Sequence, residues 1–217
     1  LLIIIQRLIE NMASRNLYLR VIFSMLFLSI YISICLINFQ LIFFVIIFIY
    51  LLILIEIYKY FREYKIIPLT YVIISFIFIL NLELNNSFLY FNFFIFTIVT
   101  FDTFSYLIGK LFGKKQLIKV SPNKTIEGFI GGASSSLILS ILFAYYFNIL
   151  INIKLILFII LNISFAFSGD IIESYFKRKN NLKNSSEFIP GHGGIFDRFD
   201  SFLFSIIFYS ISLDILL

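Results

Sequence analysis

Apolar residues run through this chain in long stretches, and polar residues are confined to short bursts between them. Seven apolar runs stand out: Val21 to Asn38, Leu41 to Ile57, Ile66 to Leu82, Phe88 to Ile108, Phe129 to Phe147, Leu155 to Ser168 and Ser201 to Leu217. Most approach the roughly 20 residues that a helix needs to cross a hydrocarbon core. Backbone polar groups must be satisfied internally there, and the alternating period of a membrane barrel is absent, so the runs predict helices. The expected fold class is all-α, a polytopic integral membrane protein with about seven transmembrane helices. No linker is long enough to separate a second domain, so residues 1–217 read as a single membrane-embedded domain.

Composition agrees with the pattern. Of 217 residues, 61% are hydrophobic and 13% charged, whereas soluble domains average about 45–50% apolar and about 25% charged. Disorder requires low hydrophobicity and is excluded. The single Cys35 lies in an apolar run, so no intrachain disulfide forms and a cysteine-based metal site is not expected. The start is apolar but lacks a small-residue cleavage site, so no secretory signal is expected. Residues 1–15 read as an extension or a segment lying on the membrane surface.

Charge sets the expected orientation. With the N-terminus in the cytoplasm, the inside segments collect Arg7, Arg15, Arg20, Lys59, Arg62, Lys65, Lys110, Lys114, Lys115, Lys119, Lys124, Lys177, Arg178, Lys179, Lys183 and Arg198. That is 16 of the 17 basic residues; Lys154 alone falls outside. The positive-inside rule accounts for this asymmetry, and the net charge of +5 therefore does not imply a nucleic-acid partner.

Two polar segments carry more than topology needs. The first, Asp102 to Gly132, opens with a carboxylate inside the fourth run. Such burial costs roughly 2.5–3.5 kcal/mol on insertion scales, so Asp102 is expected to face a cavity, a metal or a partner. Gly109 and Gly113 permit close approach of backbone or ligand. Ser121, Pro122, Asn123, Lys124 and Thr125 read as a turn leading into a helix, with Glu127 in its first turns. A helix start with hydroxyls and a lysine suits an anion; an ordinary capped helix after a basic loop fits equally.

In the second segment, Ser168 to Ser201, Asp170, Glu173, Ser174 and Lys177 recur at helical spacing and share one face. Two carboxylates one turn apart suit a hard divalent cation, and Lys177 and Arg178 would hold phosphates around it. Pro190-Gly191-His192-Gly193-Gly194 is a turn rich in backbone N–H groups, followed by Asp197, Arg198 and Asp200. Acidic residues at a helix start also act simply as dipole partners. His192 is the only histidine and has no Cys nearby, which argues against zinc. Neither a Gly-x-Ser-x-Gly elbow nor a P-loop is present.

The second segment closely resembles the phosphatidate cytidylyltransferase signature, through Ser174-x-Phe176-Lys177-Arg178, Lys183, and Ile189-Pro190-Gly191-His192-Gly193-Gly194-Ile195-x-Asp197-Arg198-Phe199-Asp200. The first is similar to the same family's other motif, through Asp102, Gly109, Gly113, Ser121-Pro122, Lys124-Thr125, Glu127-Gly128 and Gly131-Gly132. Together they span Asp102 to Ser201. Asn184 stands where the family usually has Asp, and the chain is shorter than typical members in its N-terminal half.

The resemblance implies transfer of CMP from CTP to phosphatidate, giving CDP-diacylglycerol and pyrophosphate for phospholipid synthesis, at the cytoplasmic face of the cell membrane. It implies Mg2+, with room for a second metal ion, and a homodimer. Asp170 and Asp197 are the leading metal ligands, with Glu173 and Asp200 next. Asp170, Asp197, Lys177 and Arg198 form the catalytic set. Asp102, Ser121, Lys124, Thr125, Glu127, Arg178, Lys183, His192, Gly193 and Gly194 form the substrate site. Two alternatives remain at this point: a CTP-dependent polyprenol or dolichol kinase, and an eroded, inactive copy.

Overall fold

The computed structural model describes residues 26, 29–82, 88–188 and 193–216. Helical residues 29–37 form the described part of α1. They are followed by α2 (Gln40–Tyr60), α3 (Ile66–Leu80), α4 (Phe88–Phe112), β1 (Gln116–Ile118), β2 (Ser121–Thr125), α5 (Ile126–Tyr146), α6 (Ile153–Lys179) and α7 (Phe196–Leu216). Each expected apolar run thus carries one helix. The expectation of a turn at Ser121 to Thr125 is corrected: these residues form a strand, paired antiparallel with β1. The two strands make a small hairpin, the one addition to an otherwise helical architecture among the described residues.

By length and composition, α2, α4, α5 and α6 can each cross a membrane, while α3 is shorter at 15 residues. Their outer faces expose large apolar side chains such as Phe44, Ile55, Ile130 and Leu142. A surface of this kind is stable only against lipid or another apolar partner. The interior is aromatic. Phe94 stacks on Tyr209 with ring centroids 4.5 Å apart, and Phe93 stacks on Phe158, tying α4 to α7 and α6.

The most extensive helix pairs are α4 with α5 and α6 with α7. Along α5, Gly128, Gly132, Ser136, Ser140 and Ala144 recur every fourth residue and are all buried. This small-residue face lets the α4 backbone approach closely, as in membrane helix pairs generally. A Cβ at Gly132 would lie 2.7–2.9 Å from Ser105, and one at Gly128 would lie 2.8 Å from the Ser105 carbonyl. Further along, Ser136 Oγ and Ser140 Oγ sit 3.0 Å from Thr100 Oγ1 and Thr97 Oγ1. The expectation that Gly109 admits backbone or ligand is thereby resolved: a Cβ there would meet Thr125 and Gly128.

Helix ends follow local chemistry. Thr125 caps α5 by accepting from Gly128 N at 3.1 Å, and Asn152 caps α6 by accepting from Leu155 N at 2.9 Å. The polar connections gather at one end of the bundle. Asn180 Oδ1 accepts from Glu63 N and Tyr64 N, joining the α2–α3 and α6–α7 connections. Arg178 Nε donates to Val120 O at 3.4 Å, bringing the hairpin to the same place.

Candidate active site

α6 continues as an unbroken helix past its apolar stretch to Lys179, which carries Asp170, Glu173 and Lys177 to the loop end of the bundle. Lys177 is the hub. Its Nζ lies 2.6 Å from Glu173 Oε2 and 2.6 Å from Asp197 Oδ1. The Glu173 side chain is fully buried, and Lys177 and Asp197 keep about a tenth of their surface. The other Asp197 oxygen accepts from Ser185 N and Gly194 N, both at 2.9 Å. Both Asp197 oxygens are therefore engaged, one by an ammonium and one by the signature loop. Gly193 takes φ +82° in this loop, a conformation that favours glycine.

One turn earlier on α6, Asp170 is ion-paired with Lys124 from β2. Lys124 also lies over the Phe167 ring, 4.9 Å from its centroid. Asp102 joins from α4, where its Oδ1 accepts from Ser201 Oγ at 3.3 Å. Asp200 Oδ1 accepts from Ser201 N at 2.8 Å. Asp102 and Asp200 both feel the charges of Asp170 and Lys124. At 1.5 Å per residue, Asp102 and Asp170 stand roughly 15 Å before the C-terminal ends of their helices; Asp102 is exposed and Asp170 half-buried.

The fold thus brings together Asp102, Lys124, Asp170, Glu173, Lys177, Asp197 and Asp200, from both polar segments. Five carboxylates face two ammonium groups. Among the described residues no three acidic, His or Cys side chains form a ready metal-ligand group. Mg2+ commonly binds through only one or two carboxylates, completed by water and substrate phosphates. A set of hard oxygen donors in excess over its cations fits that mode.

Other expected site residues lie elsewhere. Glu127 Oε2 accepts from Lys114 N at 3.0 Å and Lys115 N at 3.2 Å, closing the hairpin onto α5. Arg178 Nη1 donates to Leu182 O at 2.8 Å. Ser121 is half-buried at the start of β2, Thr125 is occupied as a helix cap, and Lys183 and Arg198 are exposed. His192 lies outside the described residues.

Glu56 was given no role by the sequence. It is buried near the end of α2, and its Oε2 accepts from Ile195 N at 2.8 Å and Phe196 N at 3.3 Å. The one sequence signal was a carboxylate inside an apolar run.

Comparison with known proteins adds a decisive observation. The model of the cytidylyltransferase family matches residues 4–216. This chain belongs to the cytidylyltransferase family. Relatives of this family member include phosphatidate cytidylyltransferases from Staphylococcus haemolyticus (strain JCSC1435) and Staphylococcus aureus (strain COL), each 50% identical over 105 residues. The enzyme of the same name from Staphylococcus epidermidis is 47% identical over 105 residues. In each case the match covers 48% of this chain and 40% of the relative. The chain therefore aligns with about two-fifths of the length of these cytidylyltransferase relatives.

Proposed function

We propose that the protein transfers CMP from CTP to phosphatidate, producing CDP-diacylglycerol and pyrophosphate. One observation carries this reading: the charged cluster in which Lys124–Asp170 and Glu173–Lys177–Asp197 stand side by side at the loop end of an apolar bundle. Membership of the cytidylyltransferase family and the names of the relatives support the same chemistry. They do not favour the polyprenol kinase alternative.

In the reaction, a phosphate oxygen of phosphatidate attacks the α-phosphorus of CTP. A new P–O bond forms, the bond to the bridging oxygen of the β-phosphate breaks, and pyrophosphate leaves with that electron pair. A phosphate is nucleophilic near neutral pH, so no activated serine or cysteine is required. The chain must bring two polyanions together. Lys124 and Lys177 supply fixed positive charge for them; both side chains are largely buried, where electrostatic stabilisation is stronger than in water. Asp197 holds Lys177 and the signature loop in register.

Asp170 and Asp200, with Asp102 beside them, would hold Mg2+, because both oxygens of Asp197 are already engaged and the Glu173 side chain is fully buried. The bound cation would neutralise phosphate charge. In this reading the exposed Arg178, Lys183 and Arg198 meet incoming phosphate, and Ser121, Thr125, His192, Gly193 and Gly194 are assigned to the substrate on the resemblance alone.

The reading includes seven spans, with the N-terminus and the site facing the cytoplasm. Charge segregation supports it, as do the Lys–Tyr pairs Lys59–Tyr60, Lys65–Tyr58, Lys110–Tyr106 and Lys179–Tyr175, residue types typical of a membrane interface. A homodimer belongs to the same reading on the resemblance alone, and the mass of the detergent-solubilised particle tests it.

The functional test uses CTP labelled at either the α- or the γ-phosphorus, with phosphatidate and Mg2+. Cytidylyl transfer sends only the α-label into lipid. γ-label in lipid, or no label from either, overturns the reading.

A further inference from the structure

Glu56 is a buried carboxylate that the proposed reaction does not use. It stands on α2, 139 and 140 residues before the amides it binds. Those amides, Ile195 N and Phe196 N, are the first donors of α7, left without intrahelical acceptors at a helix start. A carboxylate there satisfies them and interacts favourably with the positive helix end. The contact is built from both sides. Phe61, one residue past α2, packs on Phe196 with ring centroids 6.0 Å apart, and both rings are buried. A methyl group at Gly194 would overlap Glu56 Oε1 and Ser185 Oγ, so Gly194 must be bare for the carboxylate to seat.

The next links lead into the charged cluster. Gly194 N and Ser185 N donate to Asp197 Oδ2, and Asp197 Oδ1 holds Lys177. We propose that Glu56 is a positioning residue: it seats the 194–196 segment and through it fixes Asp197 against Lys177. Its role in catalysis rests on the proposed cytidylyl transfer; its role in seating the segment does not.

Two readouts on the full chain in detergent micelles with phosphatidate test this. The first is amide hydrogen exchange. Glu56→Ala removes charge-assisted hydrogen bonds, so exchange over residues 193–200 is expected to rise about tenfold or more, while α4–α5 peptides keep wild-type protection. Glu56→Gln keeps an acceptor for both amides and is expected to rise by about threefold or less. Gly194→Ala attacks the same seat from the other side and is expected to match Glu56→Ala, which decides the matter if Glu56→Ala does not fold. Unchanged exchange at 193–200, or an equal rise across all peptides, overturns the proposal.

The second readout is transfer from CTP per folded molecule. Glu56→Ala is expected to lower kcat about tenfold or more, with Glu56→Gln restoring most of it. An inactive wild-type protein would count against the reaction, while the exchange data would still decide the place of Glu56. A wild-type kcat in a Glu56→Ala protein with a loosened 193–200 segment would refute its part in catalysis.

Discussion

Between α4 and α5 the buried polar groups are neutral and small. Ser136 and Ser140 meet Thr100 and Thr97, and Gly128 and Gly132 lie against Ser105. Between α6 and α7, with one strand residue from β2, the polar groups are charged: Glu173, Lys177 and Asp197 in one group, Asp170 and Lys124 in the other. Hydroxyls satisfy one another within the bilayer-facing bundle at little desolvation cost and ask for no ligand. Buried charges are expensive even when paired. Five carboxylates and two ammonium groups nevertheless stand together here, and under the proposed function their ion pairs exchange for those of a charged substrate. Most of the first polar segment is therefore seam, and Asp102 and Lys124 are what it adds to the charged cluster.

The largest expected effect comes from breaking the charged side. Lys177→Met leaves Glu173 and Asp197 without their common cation, and stability is expected to fall by about 3–5 kcal/mol, measured by thermal or denaturant unfolding in micelles. Asp170→Asn comes next and changes the type of readout. Its pair with Lys124 is partly open, so stability is expected to stay within about 1 kcal/mol, while turnover of CTP falls about a hundredfold or more. Gly132→Ala strikes the seam. Its Cβ would press on the Ser105 backbone, with an expected loss of about 1–3 kcal/mol of stability and near-normal kcat per folded molecule. Ser136→Ala is the mildest, at about 0.6 kcal/mol, in line with membrane hydrogen bonds. If Gly132→Ala lowered kcat as much as Asp170→Asn without unfolding the protein, the division between seam and site would fail.

Much of this division was legible in the sequence, though unevenly. Long apolar runs announced the helices because hydrocarbon leaves few alternatives for a backbone. The i, i+3, i+7 spacing of Asp170, Glu173 and Lys177 announced that α6 continues beyond its apolar stretch. The hairpin was not legible: Gln116–Ile118 and Ser121–Thr125 are short and polar, and their pairing is completed by Glu127 folding back on Lys114 and Lys115. Which charge meets which was also hidden. Lys124 and Asp170 lie 46 positions apart in sequence, and only the seating of β2 on α4 and α5 brings Lys124 to α6. Glu56 had no role legible in the sequence because its partners come from the far end of the chain. The glycines of the first motif suited a ligand or a backbone equally; the crossing of α4 on α5 supplies the backbone.

The central claim is that the charged cluster, rather than the seam, performs cytidylyl transfer. Its most direct test is the rate of label transfer from α-labelled CTP to phosphatidate, per folded molecule, by wild-type protein and Asp170→Asn side by side. The account predicts robust transfer by the wild type and a loss of about two orders of magnitude in the variant with its fold intact. Equal rates in the two proteins would contradict it.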